Sequence, residues 1–107
     1  MPYISETKLT VRYAETDMMG IVHHSVYAIW FEQARTEYFR MAGASYAQME
    51  AEGFSSPVLE LSVQYRNPTR YGDFVDIETT MEKVDRLRVR FHYRALVDGK
   101  LCTTGST

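Results

Sequence analysis

Two hydrophobic periods divide the chain. From Tyr3 to Tyr13, Thr7, Leu9, Val11 and Tyr13 alternate with Glu6, Lys8, Thr10 and Arg12, the period of two expected of a half-buried strand. Met18 to Ser25 follows neither period and is punctuated by Gly20. From there to Gly43 the pattern is helical: Tyr27, Trp30, Phe31, Ala34, Tyr38 and Met41 stand three, four and seven apart. Ser25 is placed to cap this helix and Gly43 to stop it. Val26, Ile29 and Phe39 widen the apolar stripe past an ordinary amphipathic face, which predicts a helix enclosed by protein. A shorter helix is expected over Ser45–Glu52, ended by Gly53.

Beyond Pro57 the period returns to two. Leu59, Leu61, Val63 and Tyr65 alternate with polar residues until Asn67-Pro68 ends the strand. Val75, Ile77, Thr79 and Met81 predict a third strand. Leu87, Val89, Phe91, Tyr93, Ala95 and Val97 predict a fourth, opposite Arg88, Arg90, His92 and Arg94. Asp98-Gly99 is a hairpin turn signal, and a fifth strand starts at Lys100. That strand is still running at Thr107, so its end is expected to be missing. Strand, buried helix and then strands joined by short turns, with no parallel crossover, define an α+β domain with an antiparallel sheet. No linker or repeat divides residues 1–107, which read as a single domain.

Charge and composition narrow the functions open to such a domain. Twelve Lys and Arg stand against 14 Asp and Glu, without the basic excess of a general nucleic-acid binder. No apolar run is long enough for a membrane span, and the alternating N-terminus lacks the apolar core of a signal peptide. The lone Cys102 excludes an internal disulfide framework and a Cys-rich metal site. A cytoplasmic domain is expected. Eight Tyr, five Phe, one Trp and six Met in 107 residues are more than so small a domain encloses alone, which points to a covering subunit.

The chemistry gathers in residues 12–37, RYAETDMMGIVHHSVYAIWFEQARTE. Asp17 sits in the irregular turn before the helix, where Gly20 lets a backbone approach closely. The amides around Val22, His23 and His24 lie near the positive end of the helix dipole. Free amides there can hold a developing oxyanion, and a nearby carboxylate can act as base or nucleophile. That pairing suits acyl transfer, above all hydrolysis of an activated ester. A metal cluster of Glu15, Asp17, His23 and His24 is not expected: adjacent histidines should diverge, and no third nitrogen ligand has a helical partner. Glu15 and Thr16 should hold the loop, Glu32 and Arg35 form a structural pair, and Tyr27, Trp30 and Phe31 fill the core.

The pattern R-Y-x-E-T-D-x-x-G-x-V-x-H-x-x-Y-x-x-x-F-E-x-A-R-x-E, carried here by Arg12 through Glu37, resembles hotdog-fold acyl-CoA thioesterases of the 4-hydroxybenzoyl-CoA thioesterase type. The resemblance continues through Tyr65-Arg66-Asn67-Pro68 and Tyr71-Gly72-Asp73. It implies an antiparallel sheet wrapped around the long helix, with Asp17 as base or nucleophile and the His24 backbone amide polarising the thioester carbonyl. It further implies a homodimer or homotetramer with the active site between subunits; no cofactor is expected. Gly20, Val22, His23 and Tyr27 are then candidates to line the substrate site. Arg66, Arg70, Arg88 and Arg90 are candidates to neutralise the phosphates of coenzyme A. A non-catalytic module that kept the fold to bind or sense acyl-CoA is the alternative.

Overall fold

The computed structural model describes residues 4–41, 58–84 and 88–107; the short helix expected over Ser45–Glu52, Gly43 and Leu87 lie outside the described residues. The elements are β1 (Ser5–Thr10), α1 (Val26–Met41), β2 (Ser62–Tyr65), β3 (Phe74–Lys83), β4 (Val89–Val97) and β5 (Lys100–Ser106), with one 3-10 turn at Tyr13–Glu15. All pairings are antiparallel, in the order β1-β3-β4-β5-β2. The strands that precede and follow the helix therefore form opposite edges of the sheet. At the β4–β5 turn Asp98 and Gly99 both have positive φ, 50° and 78°, as a two-residue hairpin requires and as the Asp-Gly pair predicts.

Register places the alternating residues in rows across one face. Ser5, Thr79, Tyr93, Gly105 and Val63 form one row, and Thr7, Ile77, Ala95, Thr103 and Tyr65 the next. Against this face α1 buries Val26, Tyr27, Trp30, Phe31, Ala34, Tyr38 and Phe39. The other face carries cross-strand charge pairs, Arg94–Glu78 at 2.7 Å and His92–Glu82 at 2.9 Å, which suit a solvated surface. No helix among the described residues is long and apolar enough to cross a membrane.

Phe31 shows how closely helix and sheet fit. Its ring stacks on Tyr93 with centroids 4.5 Å apart and planes 5° from parallel. The space for that ring is the missing side chain of Gly105: a Cβ there would overlap Phe31 Cε2 and lie 2.8 Å from the Ser62 carbonyl oxygen. Both obstacles are fixed, one in the core and one in the backbone of β2. Gly105→Ala is expected to destabilise the fold by about 1–3 kcal/mol, the usual penalty of overpacking, read as a lower urea midpoint. An unchanged midpoint would mean that Phe31 has room to move.

Several expectations shift at element ends. Tyr13 does not extend the first strand; the strand stops at Thr10 and Tyr13 is 77% exposed. β2 begins at Ser62 rather than at Leu59, and Leu59 and Leu61 are exposed. Ile29, counted into the buried stripe, is 60% exposed, and Met41 is exposed as well. Among the described residues the sheet covers one side of the helix and leaves Ile29 and Met41 exposed on the other.

Candidate active site

The loop between β1 and α1 is built on a buried carboxylate. The Arg12 amide donates to Glu15 Oε1 at 2.8 Å, and the Trp30 indole donates to Oε2 at 2.9 Å. The Arg12 guanidinium reaches Oε2 at 3.4 Å. Burial is the largest single influence on Glu15 and pushes its carboxyl up. The hydrogen bonds from the Arg12 amide, Trp30 and the Arg12 side chain, with the charge of Arg12, together outweigh it and hold the group below its ordinary value. Glu15 thus holds the loop, as expected, and ties it to the helix.

Past Glu15 the chain makes a miniature hairpin. Thr16 pairs with Val22, the Asp17 amide donates to the Ile21 carbonyl at 2.8 Å, and the His23 amide donates to the Glu15 carbonyl at 2.9 Å. Gly20 closes the turn in the left-handed region, φ +79°, and donates to the Asp17 carbonyl at 3.0 Å. That conformation, rather than a close approach, is what requires glycine: open space surrounds the position of its absent Cβ. Asp17 is half-buried, and its Oδ1 accepts the Met19 amide at 2.8 Å, an Asx turn. Its Oδ2 has no partner among the described residues.

The group of amides expected at the helix start narrows to one. The Val22 amide donates to the Thr69 carbonyl at 2.8 Å and the His23 amide to Glu15, so neither is available to a ligand. The Ser25 amide reaches His23 Nδ1 at 3.2 Å. Among the described residues the His24 amide alone in this run, from Val22 to Val26, has no acceptor; Val26 donates to the His23 carbonyl. Ser25 stands at the cap position, but its hydroxyl lies 2.8 Å from His23 Nδ1.

The two histidines do not diverge, contrary to expectation. Their ring centroids lie 4.1 Å apart with planes 32° apart, because the backbone between the hairpin and the helix turns there and brings consecutive side chains to one side. Among the described residues no three His, Cys, Asp or Glu side chains are grouped to hold a metal ion. Tyr27 is a core residue, as expected, and its hydroxyl lies 2.7 Å from Thr69 Oγ1. Arg35 lies with its guanidinium 5.9 Å from the centre of the Phe91 ring.

The candidate arginines separate by place. Arg90 pairs with Glu82 and is six register positions along β4 from Leu96, roughly 20 Å at strand rise; Arg88 lies further still. Both are at the sheet end remote from the loop. Arg66 donates to Gln64 Oε1. Arg70 is bridged to Ile21 beside the turn of Asp17, and its side chain has no partner among the described residues. It shares an open cavity of about 500 Å³ with Asn67, Asp73, Asp98, Lys100 and Cys102. Lys100 was not singled out from the sequence, since a lone lysine after a turn carries no pattern. Burial raises the Cys102 thiol pKa, so the thiol stays protonated at neutral pH.

A long helix against an antiparallel sheet in the order β1-β3-β4-β5-β2 is the hotdog fold. The chain belongs to the Thioesterase-like superfamily, whose family model matches residues 11–107. Among solved structures it is similar to a hypothetical protein, TT1821, from Thermus thermophilus, with 42% identity and a TM-score of 0.94, covering 98% of this chain and 80% of that one. It is also similar to the DHNA-CoA thioesterase of Staphylococcus aureus, with 46% identity and a TM-score of 0.92, covering 97% and 70%. YneP of Bacillus subtilis (strain 168), named for a proposed acyl-CoA thioesterase activity, is 36% identical over 91 residues. That match covers 85% of this chain, which spans only 66% of the length of YneP.

Proposed function

We propose that the protein is an acyl-CoA thioesterase, hydrolysing an acyl-CoA thioester to a free acid and coenzyme A, and that it works in the cytoplasm. The observation that carries the reading is the division of labour in one small loop. Among the described residues Asp17 keeps one carboxylate oxygen in its turn and the other open, while the His24 amide alone among its neighbours lacks an acceptor. In this reading a thioester carbonyl accepts the His24 N–H and its carbon is presented to Asp17. As a base, Asp17 takes a proton from water as the water oxygen bonds to the carbonyl carbon. The His24 amide holds the resulting oxyanion, and the C–S bond then breaks as sulfur takes up a proton. As a nucleophile, Asp17 forms the C–O bond itself and expels the thiolate, and water cleaves the mixed anhydride.

Gly20 shapes the Asp17 turn, and Val22, His23 and Tyr27 support the site through the bonds described above; substrate contact falls to His23 and to the exposed side of the loop. Arg70, bridged to Ile21 beside the Asp17 turn, and Lys100, which lines the same cavity, are assigned to the phosphates, in preference to Arg66, Arg88 and Arg90. A homodimer completes the site. The edge of β2, unpaired among the described residues, and the exposed Val58, Leu59 and Leu61 beside it support pairing with a second copy, since an unpaired edge invites another strand.

Release of free thiol from a panel of aromatic and short aliphatic acyl-CoAs, followed with a thiol-reactive dye, tests the proposal. Stoichiometric thiol release with catalytic turnover is expected for at least one acyl group. Ligand-dependent thermal stabilisation without thiol release would instead identify a binding module. Running the same acyl groups on phosphate-free pantetheine is expected to raise KM more than it lowers kcat, because the phosphates lie far from the reacting carbon.

A further inference from the structure

The turn that presents the His24 amide is held from outside by the last residue of β2 and the segment after it. Tyr65 Oη donates to the His24 carbonyl at 2.9 Å, across 41 residues of sequence. Its ring also meets the Tyr27 ring edge-on, with centroids 5.5 Å apart. Four residues on, fully buried Thr69 holds both the turn and the start of α1: its carbonyl accepts the Val22 amide and its hydroxyl meets the Tyr27 hydroxyl. The backbone on both sides of the His24 amide is thereby occupied. The His23 carbonyl, in the same peptide unit, accepts Val26, and the next carbonyl accepts Tyr65.

Each of these bonds removes a way for the turn to relax. A peptide plane whose carbonyl and flanking groups are all engaged cannot rotate to satisfy its own N–H, so that N–H stays directed outward. Polarisation adds to the effect: a phenol donating to the His24 carbonyl strengthens the Ser25 amide in the same peptide unit as a donor to His23 Nδ1. Among the described residues the Tyr65 hydroxyl makes no second hydrogen bond, and the ring is half-exposed, so burial of the ring alone does not account for its place.

We propose that Tyr65 is a positioning residue for hydrolysis, fixing the His24 peptide so that its amide meets the oxyanion without rearrangement. This rests on the thioesterase reading above. Preorganisation of a donor acts where charge develops, in the transition state, more than on the bound substrate. Tyr65→Phe, which keeps the ring and removes only the donated hydrogen bond, is therefore expected to lower kcat roughly tenfold with KM and the melting midpoint nearly unchanged. A general structural role would instead lower the midpoint, and substrate contact by the phenol would raise KM.

The experiment assays wild type, Tyr65→Phe and Asp17→Asn side by side on one acyl-CoA, with melting curves for each. Loss of kcat at constant KM and midpoint in Tyr65→Phe supports the assignment. A kcat within twofold of wild type, or a change confined to KM or to stability, overturns it. Asp17→Asn separates the two ideas: if it is inactive while Tyr65→Phe is normal, only the role of Tyr65 fails, and if it turns over normally the thioesterase mechanism itself fails.

Discussion

Asp17→Asn is expected to lower kcat by about 10³-fold, within the range general-base catalysis supplies, with little change in KM or stability. The substitution isolates charge from shape. An asparagine oxygen can accept the Met19 amide as Oδ1 does, and the main-chain bonds from Asp17 to Ile21 and from Gly20 to Asp17 do not involve the side chain. The turn therefore keeps its form. What disappears is the second carboxylate oxygen, which has no partner among the described residues and is the part of the group left to take a proton or attack a carbonyl. The measurement is kcat and KM by thiol release, beside a thermal melt. Near-normal kcat would remove Asp17 from the chemistry, and a collapsed melt would show that the charge serves the fold.

The strands and the helix could be read from the sequence because their periods reflect one-sided burial. Thr7, Leu9, Val75, Ile77, Phe91, Tyr93 and Ala95 alternate as they do because one face of the sheet meets α1. The ends were harder to read. Tyr13 continues the alternation of β1 by residue type, but a capping interaction between Arg12 and Glu15 turns the chain first. Leu59 and Leu61 continue the alternation of β2 without pairing among the described residues. Ile29 belongs to the helical stripe by type, and its exposure reflects which side of α1 this sheet covers.

The site was legible as a loop and a helix start, since Asp17, Gly20 and His24 are close in sequence. The restriction to a single open amide was not, because it depends on Thr69 accepting from Val22 and on Glu15 accepting from His23. Tyr65 stood in view within Tyr65-Arg66-Asn67-Pro68, but its link to His24 spans 41 residues. No local spacing encodes such a contact. The choice among the arginines likewise depended on which end of the sheet each strand presents, a consequence of register rather than of residue type.

Glu15→Gln is expected to destabilise the protein by about 2–3 kcal/mol at neutral pH, the scale of a buried charged hydrogen-bond acceptor lost with its donors left in place. Both Glu15 oxygens accept: Oε1 from the Arg12 amide and Oε2 from Trp30 and the Arg12 guanidinium. Glutamine offers one carbonyl oxygen, so its NH2 must face either the Arg12 amide or the Trp30 indole, donor against donor. The pH dependence distinguishes this account from simple loss of packing. The folded carboxyl titrates below its ordinary value of 4.5, so the unfolded chain takes up its proton first as the pH falls. The contribution of the ionised group is then fully present above the unfolded value and is lost as the pH falls through the folded one. Urea midpoints of wild type and variant should accordingly differ by a constant amount from neutrality down to about pH 5 and converge below it. A gap that persists unchanged into acid would assign the loss to side-chain packing. Equal midpoints at neutral pH would show that the Arg12 and Trp30 donors find other acceptors and that the loop does not depend on this carboxylate.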